Sequence, residues 1–167
     1  MIEIKLGDLS QLDFSVDAIV NAANQALIPG GGVDGALNRA AGPELKQAMA
    51  KIGGTPPGTA VITPAFKLPA KYVIHAVGPR YQDGQHQEQQ VLTKAYEAIF
   101  QLAHAYDVRT IAMPVLSAGI YGYPKEEAAK ILLSVADRPE NQTITTTIII
   151  FEAAWFAVFA KVQAELT

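Results

Sequence analysis

The sequence predicts an α/β domain with a central, mostly parallel sheet and helices on both faces. Short β-branched apolar runs alternate with longer segments of helical periodicity almost throughout. The strand candidates inside the chain are apolar at successive positions, as strands buried on both faces are. Glycine and proline clusters such as Gly30 to Gly32, GGTPPG and Gly78-Pro79 punctuate the segments.

The elements follow in order. Ile2 to Leu6 alternates apolar and charged residues, which suits a half-exposed strand. Asp17 to Ala22 (DAIVNA) reads as a buried strand, and Gly30, Gly31 and Gly32 then interrupt the chain. Asp34 to Ala41 has helical spacing and stops at Gly42. Pro43 to Ile52 is a second helix, with proline in the first turn, where its missing N–H is harmless. After the GGTPPG loop come strand candidates Thr59 to Thr63 and Lys71 to Val77, the latter ended by Gly78 and Pro79. A long helix runs from about Gln87 to Tyr106. Thr110 to Leu116 (TIAMPVL) is a buried strand in which Pro114 predicts irregularity. Ser117 to Tyr123 is a glycine-bearing loop and Pro124 to Ala136 a helix. Asp137 to Gln142 is a connector, Thr143 to Phe151 a β-branched strand, and Ala153 to Glu165 a closing helix.

Composition narrows the function. The 167 residues make one domain of ordinary size, taken here as residues 1–167, with no internal repeat or second unit. Half the residues are hydrophobic and 17% are charged, which excludes disorder. There is no cysteine, so disulfides, zinc–thiolate sites and a cysteine nucleophile are excluded. The net charge is −3, with 13 Lys and Arg and no basic stripe, which speaks against nucleic-acid binding. Met1 to Ser10 lacks the apolar core of a signal peptide. The apolar tract Ile148 to Ala160 is broken by Glu152 and is too short to span a bilayer. The expectation is a soluble, cytoplasmic monomer without membrane contact. With so few cations, an anionic ligand has to be held by backbone N–H groups and helix ends.

Two constellations fit that requirement. The first is Asn21-Ala-Ala-Asn24 followed by Gly30-Gly-Gly-Val-Asp34-Gly35. A strand delivers the chain to consecutive glycines, whose N–H groups approach a phosphate unobstructed by Cβ atoms, and the loop opens a helix. A bare glycine run is usually a flexible turn with Asp34 as an N-cap; the two asparagines before it shift the balance toward a site. The second is Ser117-Ala-Gly119-Ile-Tyr121-Gly122-Tyr123-Pro124, again a strand, a glycine loop and a helix. Two such loops at the carboxyl ends of strands form one crevice suited to a diphosphate. Neither is a P-loop or a GxGxxG fingerprint. Ser117 is not a nucleophile elbow, because Val115 stands where that motif has glycine. His75, His86 and His104 match no metal-ligand spacing and read as structural or surface residues, so no metal site is expected.

The motifs Gly7-Asp8, VDAIVNAAN (Val16 to Asn24), GGGVDGALNRAAG (Gly30 to Gly42), YVIHAVGP (Tyr72 to Pro79) and SAGIYGYP together resemble the macrodomains, over nearly the whole chain. The likeness is nearest to the branch that hydrolyses O-acetyl-ADP-ribose and mono-ADP-ribosyl esters. It implies a three-layer α/β/α macrodomain fold, with a central mixed, mostly parallel sheet. It also implies that the ligand is ADP-ribose or O-acetyl-ADP-ribose, that mono-ADP-ribosylated proteins are partners, and that neither metal nor cofactor is used. By position, Asp8 and the Leu9 backbone face adenine, where a carboxylate selects the exocyclic amino group. Phe151 stacks on adenine, although an arbitrary phenylalanine belongs in a core. Gly31, Gly32, Val33 and the loop Ser117, Ala118, Gly119, Ile120 and Tyr121 surround the diphosphate, and Tyr121 closes over the distal ribose. Asn21 is grouped with the ligand-binding residues. Asn24 and Asp34 are the implied catalytic pair. A non-catalytic ADP-ribose reader and an ADP-ribose 1″-phosphate phosphatase are the alternatives. The chain departs from the resembled motif twice: Asn38 stands where His is usual, and Ala118 where Thr is common.

Overall fold

A computed structural model describes residues 1–166, apart from the side chain of Ile120. Six strands build one sheet: β1 (Ile2–Leu6), β2 (Val16–Ala22), β3 (Ala60–Pro64), β4 (Ala70–Ala76), β5 (Thr110–Met113) and β6 (Thr145–Ile150). Their order is β1-β6-β5-β2-β4-β3. Every pairing is parallel except that of β3 with β4, which puts the one antiparallel strand at an edge.

Five helices cover the sheet: α1 (Gly32–Ala41), α2 (Pro43–Ile52), α3 (Glu88–Ala105), α4 (Lys125–Ala136) and α5 (Ala153–Leu166). The period-2 alternation of the strands sorts them into two layers. Ala18, Val20, Ile74, Ile111 and Ile148 face α3, α4 and α5, and Tyr96, Phe100, Leu132 and Phe159 fill that core. Ile19, Val73, Ala112 and Ile149 face the opposite way, against Leu37, Leu45 and Met49 of α1 and α2. Those three side chains are fully buried. Truncating Leu37 to alanine costs about 2–5 kcal/mol and loosens the helix that carries Asp34.

The element ends differ from the sequence reading for local reasons. β5 stops at Met113, short of the expected Leu116, because Pro114 has no N–H for the ladder. Helix α1 starts at Gly32 rather than Asp34, so the glycines supply its first turn instead of merely preceding it. The loop after β5 contains a 3₁₀ turn at Gly119–Tyr121, closed by Gly122 N–H to the Gly119 carbonyl at 3.1 Å.

Candidate ligand-binding and active site

Five parallel strands bring five segments to one edge of the sheet. Asp8 follows β1, Phe151 follows β6, and the Ser117–Tyr121 loop follows β5. The Asn24–Val33 segment follows β2, and Gly78–Arg80 follows β4. Strands β5 and β2 are neighbours, yet β2 leads to α1 on one face and β5 leads to α4 on the other. The chain therefore parts between them and leaves a crevice, as open α/β sheets do where the connections reverse. The residues expected from sequence are laid out along this edge in strand order. With strands about 4.8 Å apart, the path from β1 to β2 spans ~14 Å.

At the β1–β6 end, Gly7 N–H donates to the Ile150 carbonyl at 2.9 Å and places Asp8 beside Phe151. Phe151 is 76% exposed, so it is no core aromatic. Asp8 caps the short 3₁₀ turn Leu9–Gln11: its Oδ1 accepts the Ser10 N–H at 2.9 Å and the Ser10 hydroxyl at 2.7 Å. Among the described residues its other oxygen has no such donor. Leu9 is buried, which anchors the turn.

In the crevice, the first turn of α1 leaves the N–H groups of Gly32 and Val33 without intrahelical acceptors, and Gly31 is the N-cap. Gly31 and Gly32 are exposed, and a Cβ at either would meet nothing within 4 Å. Opposite, Ala118 and Gly119 precede the first bond of their 3₁₀ turn. The Ser117 side chain is not part of this donor set. It is buried, with φ at 60°, and its hydroxyl donates to the Pro79 carbonyl at 2.6 Å. That bond fastens the β5 loop to the β4 loop and occupies the proton a nucleophile would have to lose. The Tyr81 N–H holds the Tyr121 carbonyl at 2.9 Å, and the Arg80 guanidinium lies 5.2 Å from the Tyr121 ring centroid.

Around Gly30, Asn24 and Asp34 converge. A Cβ on Gly30 would lie 3.6 Å from Asn24 Nδ2 and 3.9 Å from Asp34 Oδ2. Asn24 also ties its own turn: Nδ2 donates to the Ile28 carbonyl at 2.6 Å and Oδ1 accepts the Ile28 N–H at 3.2 Å. One amide proton of Asn24 is left over. Asp34 is 4% exposed. Its Oδ1 accepts from Asn21 Nδ2 at 2.9 Å and Asn38 Nδ2 at 3.0 Å, and its Oδ2 accepts the Gly30 N–H at 3.2 Å. Three donors on a carboxylate leave one acceptor site, on Oδ2. Burial pushes the Asp34 carboxyl above its ordinary value, against the three hydrogen bonds that pull it down. Asn21 is fully buried beneath Asp34, so it meets the carboxylate rather than open crevice.

Several contributors are invisible in the sequence. Glu88 at the start of α3 gathers the N–H groups of Gln82, Asp83 and Gly84 on Oε2 at 2.9–3.1 Å, and that of His86 on Oε1 at 2.6 Å. These donors hold its carboxyl down at about 2. They shape the loop that carries Tyr81, whose ring packs edge-on against Tyr123 at 5.0 Å. Asp83, His86 and Glu88 have ligand atoms within 4.8 Å of one another. Glu88 is saturated by backbone donors, and His86 Nδ1 bonds Asp83 at 2.8 Å, so the trio acts as a loop staple. Gly35 and Gly78 mark close approaches. A Cβ on Gly35 would lie 2.4 Å from the Gly30 carbonyl oxygen, and one on Gly78 would lie 2.3 Å from Ser117 Oγ.

Fold and site together define an α/β module with a crevice walled by two backbone-amide turns and a buried carboxylate at one end. The family profile of the macro domain matches residues 20–132, and the chain belongs to that family. It is 48% identical to a macro domain-containing protein of Caldanaerobacter subterraneus, with 98% of this chain and 97% of the relative covered. It is 44% identical to O-acetyl-ADP-ribose deacetylase 1 of Pantoea vagans, covering 93% and 94%. Among solved structures, the Oceanobacillus iheyensis macrodomain with ADP superposes with a TM-score of 0.92 at 32% identity, covering 99% of this chain and 90% of that one. The Trypanosoma brucei macrodomain in complex with ADP-ribose gives 0.86 at 33% identity, covering 96% and 68%.

Proposed function

We propose that this macrodomain binds ADP-ribose along the carboxyl edge of its sheet and hydrolyses esters on the distal ribose: O-acetyl-ADP-ribose and mono-ADP-ribosyl esters of protein carboxylates. Adenine lies between Asp8 and Phe151, and the diphosphate between the Gly31–Val33 and Ala118–Gly119 turns. The distal ribose lies beside Asn24, Asp34 and Tyr121. The relatives named O-acetyl-ADP-ribose deacetylase support the reaction class. The observation that carries the proposal is the convergence of Asp34 Oδ2 and Asn24 Nδ2 on Gly30.

The chemistry follows from that pair. A water at the free acceptor site of Asp34 attacks the ester carbonyl carbon while Asp34 takes one of its protons. Burial raises the Asp34 carboxyl above its ordinary value, the direction that makes a carboxylate a stronger base. The remaining Asn24 amide proton and nearby main-chain N–H groups stabilise the tetrahedral oxyanion. Collapse breaks the bond from the acyl carbon to the ribose oxygen, and Asp34 returns its proton to that oxygen. The products are a carboxylic acid and ADP-ribose.

Calorimetry with ADP-ribose, then product analysis on O-acetyl-ADP-ribose, tests the proposal. Asn24→Ala and Asp34→Ala are expected to lower kcat on the order of 100-fold or more while ADP-ribose still binds. Binding by the wild type without any product identifies a reader instead. Undiminished turnover in both variants removes the catalytic assignment.

A further inference from the structure

Behind Asp34 runs a line of polar groups that the proposed reaction does not use. Asn21 on β2, His75 on β4 and Thr63 on β3 lie on the sheet face covered by α1 and α2, each two residues beyond Ile19, Val73 and Val61 of that same face. Asn21 and His75 are paired in register and neither has exposed surface. Asn21 Nδ2 lies 2.9 Å from Asp34 Oδ1 and 3.1 Å from His75 Nδ1. His75 Nε2 lies 2.9 Å from Thr63 Oγ1, which lies 3.0 Å from the Pro64 carbonyl oxygen.

The protons along this line can be assigned from its outer end. The Pro64 carbonyl only accepts, so the Thr63 hydroxyl gives it its single proton. Thr63 must then accept from His75 Nε2–H, which leaves Nδ1 bare. The bare Nδ1 takes one proton of the Asn21 amide, and the other goes to Asp34. The amide is thereby fixed with its nitrogen, not its oxygen, toward the carboxylate. Burial keeps His75 neutral, with its pKa lowered to about 4, as this tautomer requires. The arrangement has a cost: among the described residues Asn21 Oδ1 is buried without a partner. A buried acceptor without a donor is unfavourable, so the amide orientation is set by its two nitrogen contacts rather than by its oxygen.

We propose that His75, backed by Thr63, is a positioning residue that fixes the Asn21 amide and through it the orientation and charge of Asp34. The inference rests on the reading of Asp34 as the base, and it adds two residues that never meet the substrate. Without the bare Nδ1, the Asn21 amide can turn its oxygen toward Asp34, where it repels the carboxylate.

Three variants separate positioning from packing. His75→Asn keeps an acceptor near the Nδ1 position, His75→Leu removes it, and Thr63→Val releases the tautomer with little change in volume. The Asp34 carboxyl is titrated by ¹³C NMR, and kcat and KM are measured on O-acetyl-ADP-ribose. In His75→Leu the Asp34 pKa is expected to rise by about one pH unit. Its kcat is expected to fall at least ~10-fold, with KM within ~3-fold. Thr63→Val shifts both in the same direction, and His75→Asn stays near the wild type. If His75→Leu does not fold, Thr63→Val carries the same comparison. An unchanged Asp34 titration in the variants, or equal losses of kcat in His75→Asn and His75→Leu, overturns the proposal. Absence of turnover in the wild type would count against the esterase reading, while the carboxyl titration would still decide the role of His75.

Discussion

Replacing Gly35 by alanine tests the geometry of the first turn, because two effects of opposite sign compete there. Gly35 lies inside α1, where alanine is ordinarily more favourable than glycine by about 1 kcal/mol. The new Cβ, however, would lie 2.4 Å from the Gly30 carbonyl oxygen and 3.4 Å from its carbon. Both are backbone atoms and cannot swing away, so the Gly30–Gly31 segment has to retreat by nearly 1 Å. That movement strains the Gly30 N–H bond to Asp34 Oδ2, now 3.2 Å long, and carries the Gly31 and Gly32 amides with it. Overpacking costs about 1–3 kcal/mol, which leaves a net destabilisation of about 0–2 kcal/mol after the helical gain. For a chain of this size that lowers Tm by up to ~6 °C. The effect on function is larger: a shift of that size in a positioned group costs on the order of 100-fold in turnover. Calorimetry with ADP-ribose, a melting curve and initial rates report all three quantities. A variant with a higher Tm and wild-type affinity would refute the close approach.

Three further outcomes follow. Gly78→Ala presses a Cβ to 2.3 Å from Ser117 Oγ and breaks the bond to Pro79, so ADP-ribose affinity is expected to drop at least ~10-fold. Direct titration checks it; undiminished affinity would mean the second turn is not held from β4. Phe151→Ala, at a 76% exposed position, leaves Tm within about 1 °C, yet weakens ADP-ribose by about 1–3 kcal/mol, as read by calorimetry. The third outcome is pH-dependent. His75 titrates near 4 when folded and near 6.5 when unfolded, so the unfolded chain binds the proton first and stability falls as pH drops through that window. The loss is on the order of 3 kcal/mol by the foot of the window. Asp34, shifted upward, acts in the opposite sense, and Glu88 loses its contribution between about 4.5 and 2. Comparing melts of the wild type and His75→Asn between pH 6.5 and 4.5 isolates His75, and parallel curves would refute its burial in neutral form.

The layered fold was legible because strands buried on both faces cannot alternate, and runs such as AIV in β2 and TIII in β6 show this directly. The two glycine turns were legible because they fall at strand ends, and the strand order sets the segments carrying Asn24, Asp34 and Phe151 along one edge of the sheet. What escaped were relations across strands. That the Asn21 amide bonds Asp34 depends on α1 lying over β2, and no spacing in the sequence encodes it. His75 is 54 residues from Asn21, and only the register of β4 against β2 joins them. Gly35 reads in sequence as part of the first glycine constellation and Gly78 as a strand end; their close approaches depend on neighbouring backbone and side-chain atoms. The left-handed backbone of Ser117 turns its hydroxyl toward Pro79, which its place in a glycine-bearing loop does not encode. A single signal was available for Glu88, an acidic residue at the start of a long helix, but its reach back to a preceding loop is a tertiary fact.

Main-chain amides, rather than cationic side chains, are the groups proposed to hold the diphosphate. Titration of ¹⁵N-labelled protein with ADP-ribose, read by amide chemical shifts, tests it most directly. The largest changes are expected at the N–H groups of Gly31, Gly32, Val33, Ala118 and Gly119, on both turns at the same ligand concentration. Saturable binding that leaves these amides unmoved, or moves one turn without the other, would contradict it.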